Sequence, residues 1–302
     1  MGADRTSTLS ARNELADAFR VADRSEEAAA ECRAAADTAG PGTPRGKPPS
    51  VVHMSSAPGN GAPTELTVAS RFNGPSASAN GGYISGLLAR CLGAKAAQVT
   101  LRMPPPLDRP LKVEQAVDTQ LRLLDGGDLV AEAVPAPEPD EIVDPVPIDR
   151  AEEAQRRFRG WSGHPFPTCF TCGTGRDPGD GLRLFAGPVA DGVGKGEEDT
   201  VACVWRPHAS LAPEGRDTVP EEIVWAALDC PGGWSSDVSG RPMVLGRMSA
   251  AVWRTPVIER LHVIVGRLTG TTGRKAFTAS TLYGADGAVL AAARATWIMI
   301  QR

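Results

Sequence analysis

Asn80-Gly81-Gly82 stands at the head of an apolar run, GGYISGLLARCL, that has the periodicity of a helix. Asn80 is an ordinary helix cap. Two glycines directly after it are costly, because glycine weakens a helix relative to alanine. What they offer is bare backbone N–H groups at a helix N-terminus, where unpaired donors and the helix dipole favour negative charge. A second residue able to do chemistry is Asp229, within WAALDCPGG. Its neighbours are apolar or small, which predicts a buried or half-buried carboxylate, costly unless paired or functional. Glu222 and Trp225 precede it at helical spacing and share its face. Pro231 is expected to end or kink that helix just after Asp229. Cys169-x-x-Cys172, with His164 nearby, has the spacing of half a zinc site or of a redox dithiol. A full site needs a second pair, no close pair follows, and Cys203 or Cys230 would contribute only from a distance. A structural turn is therefore expected there, with no metal and no cofactor.

The elements that must position these residues form an ordinary soluble domain. The chain has 302 residues, 41% hydrophobic and 23% charged, with a net charge of -4. That balance, with no basic stripe, argues against a nucleic-acid partner. No apolar run reaches the roughly 18 residues of a membrane span. No apolar secretion signal opens the chain, so a cytoplasmic protein with reduced thiols is expected. Residues 1–60 join an alanine-rich charged stretch to TAGPGTPRGKPPS and read as a flexible or helical N-terminal tail.

From there one order of elements occurs twice. Residues 61–135 give a strand-like start (ELTVASRFNG), then a helix from Gly81 to Leu92 whose apolar positions Ile84, Leu87, Leu88, Cys91 and Leu92 form one face. The strands AQVTLRM and LKVEQAV follow, then two alternating runs around Asp125-Gly126-Gly127-Asp128, a hairpin signal. Residues 198–302 repeat this with DTVACVWRP, the helix PEEIVWAALDCPGGW, two strands, and two long runs around Gly284-Ala285-Asp286-Gly287. Between them, residues 136–197 read as a Pro/Gly-rich linker insertion carrying the Cys-x-x-Cys. A helix followed by an antiparallel meander packs most economically with the sheet against the helix, an α+β arrangement.

On this order of elements, and on NGGY (Asn80–Tyr83) and WAALDCPGG (Trp225–Gly233), the chain resembles the hotdog-fold thioesterase superfamily in its fused, double-hotdog form. The resemblance covers about residues 62–135 and 198–302. It implies two antiparallel sheets, each wrapped around a central helix and joined side by side. NGGY looks like the turn that opens the central helix in many of these enzymes, and Asp229 matches their acidic helix residue. In that family the two motifs often come from opposite units and meet at their interface. The first helix has no carboxylate and the second no Asn-Gly-Gly, so one working site per chain is expected. Asn80 stands where the family usually has His and cannot act as a base.

The resemblance implies hydrolysis of the thioester of acyl-CoA or an acyl-carrier substrate. Gly81 or Gly82 would form the oxyanion hole, and Asp229 would act as general base or nucleophile. Trp225 and Trp234 would line an acyl channel, with Asn73, Ser78, Tyr83 and Glu222 as further substrate-binding candidates. The alternatives are a dehydratase or cyclase on carrier-bound acyl chains, or a non-catalytic acyl-binding protein. Partners are then acyl-CoA or acyl-carrier protein and further copies of the chain in a homo-oligomer, with neither nucleic acid nor membrane. GRLTGTTGRK lacks P-loop spacing, and neither a Gly-x-Ser-x-Gly elbow nor a Ser-His-Asp set is present.

Overall fold

Strand-forming runs of alternating apolar and polar residues pair here into one sheet. A computed structural model describes residues 54–55, 64–116, 119–189, 199–236, 238 and 240–300. The expected N-terminal tail lies outside these apart from β1 (Met54–Ser55). After β1 come β2 (Glu65–Thr67), α1 (Gly81–Leu92), β3 (Ala96–Leu101), β4 (Pro110–Gln115), β5 (Leu121–Asp125) and β6 (Asp128–Pro135). The intervening segment contains α2 (Ile148–Arg156) and β7 (Gly187–Pro188). Then follow β8 (Thr200–Trp205), α3 (Glu221–Trp234), β9 (Met243–Val252), β10 (His262–Thr272), β11 (Lys275–Tyr283) and β12 (Val289–Met299).

The twelve strands form a single antiparallel sheet in the order β1-β2-β4-β5-β6-β3-β9-β12-β11-β10-β8-β7. Expected as two sheets side by side, the strands are instead continuous, because β3 and β9 hydrogen-bond to each other from Ala96↔Ala251 to Thr100↔Arg247. The order β2-β4-β5-β6-β3 is mirrored across that seam as β9-β12-β11-β10-β8. Two edges that would otherwise be unpaired are thereby satisfied.

Both long helices pack on one face of the sheet and against each other, in a shared core that includes Leu87, Leu88, Leu123, Leu228 and Ile264. The other face differs between the halves. Beyond β3 and β6 it is polar, with Arg102 paired to Glu132 at 2.8 Å. Beyond β8, β10 and β11 it is apolar and covered by residues of the intervening segment. Ala202, Val263, Val265 and Ala279 pack there against Val143, Ala151 and Ala154. Strand β8 shows the alternation that makes this work, with Val201, Cys203 and Trp205 in the helix-side core and Ala202 on the opposite side.

Pro231 does not end α3, which continues to Trp234. A proline removes one intrahelical bond, and packing on every side holds the helix through it: all residues from Glu222 to Trp234 are buried.

Candidate active site where two helices cross

Asn80 caps α1 through its side chain, whose Oδ1 accepts the N–H of Tyr83 at 2.9 Å. That bond leaves the amide Nδ2 pointing away from its own helix, and it donates to Asp229 Oδ2 on α3 at 3.1 Å. The N–H of Gly82 donates to the same oxygen at 2.9 Å. The close approach requires glycine. A Cβ on Gly82 would lie 2.6 Å from the Trp225 carbonyl oxygen and from Asp229 Cβ. One turn on, a Cβ on Gly86 would lie 2.6 Å from Glu222 Cα. The cost of glycine at the helix start is thus offset by helix–helix contact and by a backbone donor aimed at a carboxylate.

Asp229 is 2% exposed, and its Oδ1 is buried without a hydrogen-bond partner. Burial pushes its carboxyl up to about 7, against the opposing donors of Gly82 and Asn80; the charge of nearby Cys169 adds to the upward shift. Glycine 81 differs from its neighbour. The N–H groups of Gly82, Tyr83 and Ile84 are taken by Asp229, Asn80 Oδ1 and Asn80 O respectively. Gly81 borders a cavity of about 190 Å³, which Ser78, Asn80, Leu245, Phe166 and Asp229 also line.

The sequence-derived candidates divide on this geometry. Asn80, Gly81, Gly82 and Asp229 come together. Ser78 lines the cavity with them. The role of Gly82 needs correction, since its N–H is committed to Asp229 and is not open to a substrate oxygen. Tyr83 is not at the cavity: it is buried, stacked on Phe72 with centroids 4.0 Å apart. Asn73 ties the loop before α1 to the intervening segment, bonding Thr168 Oγ1 at 3.1 Å and accepting from Arg176. Glu222 lies at the opposite end of the helix crossing, held by Arg90 through two bonds of 2.9 Å. Trp225 packs against Gly86. Trp234 sits in an aromatic group, edge-on to Phe158 at 4.5 Å. None of these last three lines the cavity, whereas Asp229 and Cys230 of the same helix do.

Phe166, which the sequence reading does not single out, stands here with two cysteines that it weighs for a metal but not for this site. Phe166, Cys169 and Cys230 line the cavity. Cys169 Sγ is 3.9 Å from Asn80 Nδ2 and 3.7 Å from Cys230 Sγ. The available signals were the Cys169-x-x-Cys172 spacing and the position of Cys230 directly after Asp229. His164 is engaged at both nitrogens, Nδ1 accepting from the Phe166 N–H at 2.9 Å and Nε2 lying 3.1 Å from the Cys172 carbonyl.

No protein-family model matches the sequence, and no curated protein does. Solved structures do match. The tesB protein of Mycobacterium avium subspecies paratuberculosis superposes with a TM-score of 0.52 at 10% identity, over 78% of this chain and 93% of that one. A protein provisionally named a thioesterase, from Novosphingobium aromaticivorans, gives 0.52 at 13% identity, over 78% and 95%. Another, provisionally named thioesterase II, from Thermobifida fusca gives 0.51 at 13%, over 79% and 92%. The chain therefore has the hotdog fold, shared along most of its length with proteins bearing thioesterase names.

Proposed function

We propose that the chain is a fused double-hotdog acyl thioesterase, with two hotdog units meeting at the β3–β9 seam and one active site. The observation that carries this reading is the Asp229 carboxylate. It is buried at the N-terminus of a helix from the other half, with Oδ2 fixed by two donors and Oδ1 unpartnered beside a cavity. Fixing one oxygen orients the other, which is what a general base requires.

In this mechanism Asp229 Oδ1 takes a proton from a water that attacks the thioester carbonyl. The tetrahedral oxyanion is held by the N–H of Gly81, and its collapse expels the thiol, which leaves with the proton returned by Asp229. Asn80 positions rather than reacts: it fixes Asp229 and caps the donor helix at once. The cavity's apolar lining, with Leu101, Met103, Met243 and Leu245, suits the acyl chain of acyl-CoA or an acyl-carrier substrate.

The test is thiol release from a panel of acyl-CoAs by wild type and Asp229→Asn. Release by the wild type that collapses in the variant supports the reading. Release that survives the substitution removes Asp229 from the chemistry. Tight acyl-CoA binding without release from any substrate would assign the cavity to a non-catalytic binding protein.

A further inference from the structure

Three cysteines from two distant stretches of the sequence converge behind the candidate active site. Cys169 and Cys172 lie in the intervening segment and Cys230 on α3; all three are buried, with their sulfurs within 4.8 Å of one another. Tetrahedral zinc with Zn–S bonds of about 2.3 Å places its sulfurs ~3.8 Å apart. The Cys169–Cys230 separation of 3.7 Å matches that edge.

The loop between the first two cysteines is built for a metal. Cys-Phe-Thr-Cys-Gly folds back so that the Gly173 N–H donates to the Cys169 carbonyl at 2.8 Å. A Cβ on Gly173 would lie 2.7 Å from the Cys169 nitrogen, so the turn admits only glycine. His164 clamps the same loop through the Cys172 carbonyl, which removes it as a ligand. A plain packing role leaves this convergence unexplained. Small apolar side chains would fill the space equally well.

We propose that Cys169, Cys172 and Cys230 bind a thiophilic divalent ion of the zinc class as three thiolates, each thiol releasing its proton on binding. Among the described residues no side chain supplies a fourth ligand. Since Cys169 and Cys230 line the cavity, a water from the cavity completes the tetrahedron. The ion ties the intervening segment to α3 at the residue next to Asp229. This site stands independently of the thioesterase reading, and its test does not use activity.

The experiment is metal analysis of the full chain purified under reducing conditions, followed by replacement of the metal with Co²⁺. One zinc per chain is expected, and the cobalt form should show thiolate-to-metal charge transfer in the near ultraviolet with the visible bands of tetrahedral cobalt. Cys172→Ser and Cys230→Ser should each reduce binding from one equivalent to none, while Cys203→Ser retains it. The wild-type stoichiometry and cobalt spectrum decide the matter even where a variant fails to fold. Reduced, folded wild type that takes up neither metal overturns the proposal. So does metal retained in full by the folded Cys230→Ser variant, or a Cys169–Cys230 disulfide in protein that binds no metal after reduction.

Discussion

Where α1 and α3 cross, each helix start passes over the other helix, and these two crossing points are built alike and equipped differently. At one, α1 begins with Asn80-Gly81-Gly82, and the donors of its first turn hold a carboxylate from α3. At the other, α3 begins after Pro220 with no side-chain cap, and its first turn carries Glu221 and Glu222. There Glu222 turns to Arg90 of α1, whose Nη1 donates to both carboxylate oxygens. Both crossings bury a carboxylate, and burial raises both: Asp229 to about 7, and Glu222 above its ordinary range despite the opposing charge of Arg90. The difference lies in what meets the carboxylate. An arginine consumes both oxygens of Glu222, whereas backbone and amide donors consume one oxygen of Asp229. One crossing is thus closed by charge, and the other keeps an oxygen in reserve.

That contrast can be broken most severely at Asp229. Asp229→Asn keeps the size of the side chain and removes the base, and thiol release should fall by about 10²- to 10⁴-fold, read as kcat on an acyl-CoA that the wild type hydrolyses. An unchanged kcat would place the two crossings on the same inert footing. Gly82→Ala should come next, driving the new methyl group into the Trp225 carbonyl and destabilising the fold by about 1–3 kcal/mol. Gly127→Ala, where nothing lies within 4 Å, is the control, and thermal unfolding distinguishes them. At the other crossing, Arg90→Ala leaves Glu222 buried and unpaired, at a cost of about 2 kcal/mol since Arg90 is itself part-exposed. The double variant with Glu222→Gln should recover most of that loss in denaturant titrations, with thiol release unaffected. The smallest effect is expected for Asn80→Ser. A serine still caps the helix but cannot reach across to Asp229, so stability should change by under about 1 kcal/mol, while turnover drops roughly tenfold from the lost charged hydrogen bond. Equal losses in both readouts would make Asn80 a cap and nothing more.

The sequence made the α1 boundaries and the β5–β6 and β11–β12 hairpins legible, because each leaves a local mark, a cap or a glycine turn; the meeting of Asn80 with Asp229 was implied only by the family resemblance, the local mark being a carboxylate among apolar neighbours. The facing of α3 left no such mark. Face arguments need one wet side, and a helix buried from Glu222 to Trp234 has none, so Trp225 and Trp234 could not be assigned to channel or core. The commitment of the Gly82 N–H was equally hidden, since which backbone donor meets a carboxylate depends on how closely two helices pack. The sequence offered Cys230 as a distant contributor to the Cys169-x-x-Cys172 site but could not choose it over Cys203, because sixty residues and a fold-back of the intervening segment separate it from Cys169.

At either end of the twelve-stranded sheet the last strand is only two residues long, Met54–Ser55 at one side and Gly187–Pro188 at the other. Pro188 brings no N–H to offer. Long strands such as β10 and β12 are kept to the interior of the sheet, where both edges are paired. Among the described residues a newcomer chain therefore finds little outer ladder to extend, which discourages growth of the sheet from molecule to molecule. The β3–β9 seam carries the opposite consequence. Separating the halves there would uncover two strands of the interior at once, so a protease cut in the intervening segment should yield fragments that stay together, and fragments produced apart should clump unless they find each other.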